Sequence, residues 1–260
     1  MDEDWLKQAI CEFIGPFALV FAGVGSIIAT QGHDLVAIAL AHGLAIGLII
    51  SAAGHISGGH YNPAVTIGFL ATGRISVPKA VMYIVAQLLG ALAAALILTQ
   101  VYPDLGDFGR NNVGVNLGAL TVGAGMTPVN ALIVEAVMTF FLMFVIYGVA
   151  VDGRTGKAIA GLAIGLTITM DILLGGPASG AAMNPARWFG PALVQQAYGD
   201  WWVWWVGPII GAVLAALLFN YVLLGNAPPM PTRPDAITEP PRPSDPARSS
   251  SPRSQARRKR

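Results

Sequence analysis

The sequence predicts an all-α membrane protein in which six transmembrane helices and two re-entrant half-helices form an inverted repeat. Three observations support this fold class. Only 11% of the 260 residues are charged and 54% are hydrophobic, whereas soluble domains average about 25% charged residues. Several uncharged stretches reach the roughly 20 residues that a helix needs to cross a hydrocarbon core of about 30 Å. The same organisation also occurs twice along the chain.

Apolar stretches between charged residues delimit the predicted spanning helices. Residues 35–73, 80–103 and 201–232 contain no Asp, Glu, Lys or Arg. The remaining three candidates each contain a single acid, which is Glu12, Glu135 or Asp171. On this basis we predict helices at about 9–30, 35–55, 79–101, 129–150, 157–175 and 202–224.

A change of composition near Asn226 ends the predicted membrane domain. Residues 227–260 contain nine of the eighteen prolines, eight Lys or Arg and few large apolar side chains. Such a segment buries too little surface to offset the entropy of ordering it. We therefore predict a membrane domain at 1–226, with repeats at about 9–102 and 129–224, followed by a disordered tail at 227–260.

The basic residues near the span ends predict an orientation, because Lys and Arg accumulate on the cytoplasmic side of a membrane. The arrangement with most of them inside has both termini in the cytoplasm. It leaves two basic residues outside, Arg110 and Arg187, and puts the tail and five other basic residues inside: Lys7, Arg74, Lys79, Arg154 and Lys157. We expect a multi-pass integral protein of the cell membrane, in contact with lipid and without a nucleic-acid partner.

The repeat is visible at matched positions in the two halves. Glu12 lies 50 residues before Asn62, and Glu135 lies 49 residues before Asn184. The string Gly-Leu-Ala-Ile-Gly-Leu occurs at 43–48 and again at 161–166. Each half contains three predicted helices, and because three is odd the second half enters the membrane from the opposite side. Such inverted repeats carry their functional site near the midplane.

Each half also contains a glycine-rich stretch, 54–64 or 175–186, whose composition predicts that a spanning helix breaks there. Irregular backbone at membrane depth is tolerated where it is buried in protein or lines a wet cavity, so we expect re-entrant loops. Both stretches end in Asn-Pro-Ala, at 62–64 and 184–186. Asn is a favoured helix N-cap and Pro a favoured first helical residue, so each motif should begin a half-helix of about two turns.

The runs 55–66 and 180–187 resemble the two signature loops of the aquaporin, or major intrinsic protein, family. The resemblance extends from about residue 6 to 224 and implies a passive water channel that excludes protons and ions and assembles as a homotetramer. It implies that Asn62, Pro63, Ala64, Asn184, Pro185 and Ala186 meet at the pore centre, where both amides donate to water and both helix dipoles repel cations. It also implies that Glu12 and Glu135 support the loops and that His60 offers a pore carbonyl.

The resemblance further implies a selectivity filter of four residues, His42, Ile172, Ala181 and Arg187. Strict water channels have an aromatic residue at the first position and a histidine at the second, and glycerol facilitators have two aromatics. This set instead resembles tonoplast-type and ammonia- or peroxide-permeable channels. His42 and Arg187 would keep hydrogen-bond donors on a wall that Ile172 and Ala181 make less polar. We therefore expect water to pass, and ammonia, hydrogen peroxide or urea to follow.

Other functions remain as alternatives at this stage. A glycerol-type facilitator has the same fold, and a secondary transporter also has inverted repeats with broken helices, although the midplane asparagines here are neutral. Four histidines, one cysteine and no paired acids in a common loop predict no enzyme, cofactor or metal site. We expect Asp171 to make a structural hydrogen bond. Trp188 stands where most water channels have a small residue, and its role is open.

Small residues on the third predicted helix should allow close contact with a neighbouring helix. These residues are Gly90, Ala91, Ala94 and Ala95.

Overall fold

Six long helices are apolar enough to cross a membrane in the computed structural model, which describes residues 3–102, 117–155 and 157–224. The predicted tail and Arg110 lie outside these residues. Lipid requires a segment to satisfy its own backbone hydrogen bonds, and a helix does so. The α-helices of the described residues are α1 (Glu3–Ala29), α2 (Leu35–Ser57), α3 (Pro63–Ala71), α4 (Val77–Val101), α5 (Pro128–Ile146), α6 (Ala160–Ser179), α7 (Pro185–Gln195) and α8 (Val203–Leu218). The predicted fold class is confirmed, with α3 and α7 as the half-helices.

The first helix begins about six residues before its predicted start. α1 includes Glu3 and Asp4, and the Asp4 carboxylate lies 3.5 Å from the Lys7 ammonium one turn later. Charged residues at the end of a helix can extend past the hydrocarbon into water, so the apolar stretch alone underestimates the length of the helix.

The predicted breaks after α2 and α6 were placed too early. α2 continues through Gly54 to Ser57, and α6 continues through Pro177 to Ser179. Each helix ends instead at a glycine with left-handed φ, 94° at Gly58 and 77° at Gly180, whose N–H donates to the carbonyl four residues earlier. The glycine-rich composition therefore marks the cap of each helix, and Pro177 removes only one bond in a final turn.

Two of the long helices change pitch at one end. α5 continues as a π-helix over Tyr147–Val151, and α8 as a π-helix over Phe219–Leu223. The Tyr147 and Phe219 rings pack together with 5.8 Å between their centroids. The predicted limits near 150 and 224 therefore include one π-turn each.

The half-helices interlock the two repeats. α3 packs on α8 and α7 packs on α4, so each half-helix rests against the last long helix of the other half. Within the halves, α1 packs on α4 and α5 on α8. Neither half can therefore bury its own half-helix without the other.

The repeated string of six residues marks the crossing of α2 and α6. A Cβ atom added to Gly47 would lie 2.8 Å from the Gly161 carbonyl oxygen, and one added to Gly165 would lie 2.5 Å from the Gly43 carbonyl oxygen. The two copies of the string therefore face each other, and their glycines let the backbones approach closely.

The small residues of α4 also serve contacts inside the protomer. A Cβ atom on Gly90 would strike the Phe13 carbonyl of α1, and one on Gly190 of α7 would strike the Ala91 carbonyl. Ala94 and Ala95 are fully buried. The expected close helix contact is present, and it joins α4 to α1 and α7.

Candidate functional site

The two Asn-Pro-Ala motifs begin the half-helices as the sequence predicts. Asn62 has extended φ and ψ, and its Oδ1 accepts the Ala64 N–H at 2.8 Å. The Asn184 Oδ1 accepts the Ala186 N–H at 3.0 Å in the same way. With 9 and 11 residues, α3 and α7 are longer than the expected two turns.

The asparagines also join the two halves directly. The Asn62 Nδ2 donates to the Met183 carbonyl at 2.8 Å, and the Asn184 Nδ2 donates to the Tyr61 carbonyl at 2.9 Å. Both acceptor residues have φ of 51°, a left-handed conformation that costs energy for side chains of this size. Each amide group has two hydrogens, so one hydrogen of each asparagine is not used in this cross-link.

Behind the first loop lies the Glu12 carboxylate, which is completely buried in α1. It accepts the Ser57 hydroxyl at 2.7 Å, the His60 N–H at 3.0 Å and the Tyr61 N–H at 2.7 Å. A buried N–H without an acceptor costs about 1–3 kcal/mol, so this carboxylate stabilises the irregular backbone.

Glu135 of α5 makes the matching contacts behind the second loop. It is completely buried and accepts the Ser179 hydroxyl at 2.6 Å, the Ala182 N–H at 2.9 Å and the Met183 N–H at 2.7 Å. The structure thus brings each helix-borne acid to the loop with which the sequence paired it.

A narrow cavity of about 30 Å³ runs past both asparagines, which is room for a few water molecules. All four predicted filter residues and His60 line it. Ala64 and Ala186 are fully buried and, like Pro63 and Pro185, do not line the cavity. The rest of the wall is largely aliphatic and includes Leu19, Ile46, Ile50, Val65, Leu142, Ile146, Ile164 and Ile168.

The filter residues lie where this cavity meets a vestibule of about 440 Å³. His42, Ile172 and Arg187 line both spaces. Ala181 lines the narrow cavity, and its neighbour Gly180 lines the vestibule. The four residues are therefore brought together at the entrance to the narrow passage.

Hydrogen bonds fix Arg187 on the wall of this entrance. It is 2% exposed, and its Nε donates to the His42 Nε2 at 3.2 Å while its Nη1 donates to the Gly118 carbonyl at 3.0 Å. The His42 Nδ1 lies 2.8 Å from the Ile38 carbonyl, so this network assigns the ring proton to Nδ1. The expectation that His42 offers a donor to the pore was wrong, because both ring nitrogens are engaged. Arg187 supplies the donors.

His60 lines the cavity, and the contacts of its side chain belong to a polar cluster that the sequence did not predict. Its ring stacks on Phe69 with 4.4 Å between centroids, and its Nδ1 lies 3.1 Å from the Thr66 hydroxyl. The Gln87 Nε2 donates to the same hydroxyl at 3.1 Å and to the Glu12 carboxylate at 2.7 Å. An isolated glutamine in an apolar helix was the sequence signal for this cluster, and it was missed.

Asp171 and Trp188 lie outside the cavity linings. Asp171 is 1% exposed, and its Oδ2 has no hydrogen-bond partner among the described residues, so the expected structural bond is not found there. Trp188 is buried against Trp204, with 6.3 Å between ring centroids and 12° between ring planes. The Trp204 Nε1 donates to the Ser179 carbonyl at 2.9 Å. Trp188 therefore packs behind the second loop.

Comparisons with known proteins agree with this geometry. The family model described as Major intrinsic protein matches residues 2–219. The Probable aquaporin TIP3-2 of Arabidopsis thaliana is 44% identical over 244 residues, which cover 87% of this chain and 88% of that protein. Aquaporin TIP4-4 of Zea mays is 43% identical over 244 residues, with 88% and 92% covered. The X-ray structure of the aquaglyceroporin from Plasmodium falciparum matches with a TM-score of 0.74 at 26% identity, covering 84% of this chain and 97% of that one.

Proposed function

Since the chain belongs to the major intrinsic protein family of aquaporins, and is thus a transmembrane channel for water and not an enzyme, we propose that it conducts water past Asn62 and Asn184 while excluding protons and ions. The observation that carries this proposal is the pair of amide-to-carbonyl bonds that hold both asparagines at one narrow cavity. The spare hydrogen of each amide can then point at the same water molecule.

Ion exclusion follows from the ends of the half-helices. The N-termini of α3 and α7 both open at this point, and each carries the partial positive charge of a helix dipole. Cations and hydronium meet a barrier there. A water molecule that accepts from both asparagines directs its own hydrogens away from the centre, so it cannot relay a proton along the file. The aliphatic wall offers few other partners.

We propose that ammonia, hydrogen peroxide or urea also passes. Support comes from the filter, where Ile172 and Ala181 add no polar group to the wall. Arg187 uses its Nε and Nη1 in bonds to protein, which leaves the Nη2 hydrogens for a solute. A neutral solute with one acceptor can use them, whereas a cation is repelled.

A glycerol-type facilitator is the second candidate. The solved structure that matches this fold is titled an aquaglyceroporin. Glycerol needs a wider opening and several polar partners, so glycerol flux separates the two candidates. A secondary transporter would show flux that saturates or follows an ion gradient.

The test is a stopped-flow flux panel on proteoliposomes with water, ammonia, hydrogen peroxide, urea and glycerol. The wild type is compared with the double variant His42→Phe with Ile172→His, and Leu89→Phe serves as the control because Leu89 is 52% exposed on α4 and lies outside both cavity linings. We expect water and at least one of the three small solutes to exceed empty liposomes. The double variant should keep water flux and lower solute flux by about tenfold, equivalent to about 1.4 kcal/mol of barrier. Water flux with no flux of ammonia, peroxide or urea would overturn the broader claim.

We also propose a homotetramer with one pore per subunit, in the cell membrane with both termini cytoplasmic. We expect another subunit to contact the exposed apolar groove between α2 and α6, which is lined by Leu40, Leu44, Leu48, Leu162 and Leu166. Arg74, Lys79 and Arg154 near one end of the molecule support this orientation. Native mass spectrometry should give four chains, and a C-terminal tag should be accessible only from the cytoplasm.

The division of the chain into a channel, 1–226, and a tail, 227–260, is likewise a proposal. A chain that ends at Asn226 should retain the water flux of the full chain. Loss of that flux with folding retained would show that the tail belongs to the channel.

A further inference from the structure

A single peptide group connects the filter arginine to a buried glutamine. The Arg187 Nη1 donates to the Gly118 carbonyl at 3.0 Å, and the N–H of the same peptide, that of Ala119, donates to the Gln195 Oε1 at 3.0 Å. The C=O and N–H of a trans peptide point in opposite directions. The guanidinium and the glutamine amide therefore hold this peptide from its two sides.

Gln195 is the last residue of α7, the half-helix that also carries Arg187 near its start. Eight residues separate them in the sequence, about 12 Å along the helix. The Gln195 side chain is 7% exposed, and its Nε2 has no hydrogen-bond partner among the described residues. Within the described residues, the Gln195 side chain therefore makes its hydrogen bond through its oxygen, which accepts the Ala119 N–H.

The atoms packed around Gly118 restrict its backbone, so rotation of the Gly118–Ala119 peptide is the main movement left to it. Gly118 has φ of 59°, and a Cβ atom there would lie 2.8 Å from the Ile27 Cδ1 and 3.5 Å from the Arg187 Nη2. Leu117 on one side is completely buried, and the Gly123 N–H on the other side donates to the Ala178 carbonyl at 2.9 Å. If the peptide rotated so that its N–H faced the guanidinium, two hydrogen-bond donors would point at each other and neither would have an acceptor there.

We propose that Gln195 is a positioning residue of the filter: its side-chain oxygen holds the Gly118–Ala119 peptide so that the carbonyl faces Arg187. Hydrogen bonds that share a peptide polarise one another, so the two bonds strengthen together. Without the oxygen, the half-buried Ala119 N–H loses its protein partner, the peptide turns, and Arg187 loses one of its two protein acceptors. The inference rests on the proposed role of Arg187 as a filter residue.

The test compares four variants in the same proteoliposome assay, with the urea-to-water permeability ratio as the readout. Gln195→Met keeps the length and burial of the side chain but removes the acceptor, and Gln195→Glu keeps an acceptor oxygen. Gln196→Met is the matched control, because Gln196 is the next residue and is exposed. Arg187→Val removes the filter arginine itself. We expect Gln195→Met to raise the ratio about fivefold, the scale of one lost hydrogen bond, and the glutamate and control variants to stay near wild type.

Hydrogen–deuterium exchange on short peptides that cover 117–122 gives a second readout. The Ala119 amide should exchange slowly in the wild type and fast in Gln195→Met. Fast exchange in the wild type overturns the inference even if Gln195→Met does not fold. An unchanged ratio in folded Gln195→Met also overturns it when Arg187→Val raises the ratio. If Arg187→Val leaves the ratio unchanged, the filter role of Arg187 fails, and the inference fails with it.

Discussion

The two halves place matching positions at opposite ends of one pore, and those ends differ in chemistry. Counted from Asn62 and Asn184, the four filter positions correspond one by one to positions of the other half, and all eight residues line the same cavity. The filter is His42, Ile172, Ala181 and Arg187, and the corresponding residues are Ile164, Ile50, Gly59 and Val65. One end thus has a charged and hydrogen-bonded wall, whereas the other has an apolar wall.

The support behind the loops, in contrast, is nearly the same in both halves. Glu12 and Glu135 accept from a serine hydroxyl and two backbone N–H groups at almost equal distances. Both loops contain irregular backbone inside a membrane protein, so both need these acceptors. Selectivity needs one constriction, which leaves the other end free to be apolar. The two halves of the repeat therefore share the contacts that support their loops and differ in the residues that line the pore.

The largest expected effect comes from removing the carboxylates that support the two loops, which are the contacts that the two halves share. Glu12→Leu and Glu135→Leu each leave a serine hydroxyl and two backbone N–H groups without that acceptor, a loss of about 3–9 kcal/mol at about 1–3 kcal/mol each. Glu12→Leu also removes one of the two acceptors of the Gln87 amide. We expect neither variant to give monodisperse protein in detergent by size-exclusion chromatography. The Gln substitutions, which keep one acceptor oxygen, should be less severe. If one Leu variant folds normally, the two halves do not share this requirement.

A second change makes the apolar end resemble the filter. Val65→Arg puts a guanidinium into the apolar end of the pore wall. Ile50 and Ile164, which line the same cavity, offer it no side-chain acceptor. We expect water permeability to fall at least about tenfold, because the charge has no fixed partner and obstructs a narrow passage. Val65→Met adds length without charge and is the control. Equal water flux in both variants would show that bulk, not charge, decides the effect.

A third change tests a polar contact that the first loop has and that is not found, within the described residues, at the matching place behind the second loop. Gln87 donates to both Glu12 and Thr66, whereas Trp188 occupies the position that matches Thr66 and stacks on Trp204. Gln87→Met should lower the thermal midpoint more than Tyr83→Phe, which removes one bond from a side-chain hydroxyl to a backbone carbonyl and almost no buried volume. Bonds to a charged group contribute about 1.5–3 kcal/mol and neutral ones about 1 kcal/mol. The reverse order would contradict this assignment of the support.

The smallest expected effect concerns the loops that join the first two helices of each half. Asp34 caps α2 by accepting the Ala37 N–H at 2.9 Å. Asp152, the first residue after the membrane span Pro128–Val151, instead binds the Arg154 guanidinium at 2.6 Å. Hydrogen bonds from Arg154 lower the pKa of Asp152 from 3.8 to about 2.

Because the folded pKa is the lower one, this pair stabilises the protein above about pH 4 and loses its effect as the pH falls towards 2. Asp152→Asn should therefore lower the thermal midpoint slightly at pH 7, and the difference should shrink at pH 3. Asp34→Asn keeps a capping oxygen and serves as the control. A difference that grows at low pH would have the wrong sign for this ion pair.

Much of the fold and the centre of the site could be predicted because their causes are local. Asn is a favoured N-cap and Pro a favoured first helical residue, and both motifs use them in these roles. The nearly equal spacing of Glu12 and Glu135 from the motifs links acid to loop. The helix ends were misplaced because composition alone does not distinguish a glycine break from a glycine cap. The His42–Arg187 bond joins residues 145 positions apart. No local pattern encodes that contact, so the sequence predicted His42 as a free donor and left Gln87 and Gln195 unnoticed.

The most direct test of the central claim measures water and proton permeability on the same proteoliposomes that contain the wild-type chain. Stopped-flow light scattering gives the water flux, and an entrapped pH-sensitive dye gives the proton flux. If two asparagines orient a single file of water, water flux should rise far above that of empty liposomes while the proton flux stays at their level. Proton flux that rises with water flux, or water flux no greater than that of empty liposomes, would contradict it.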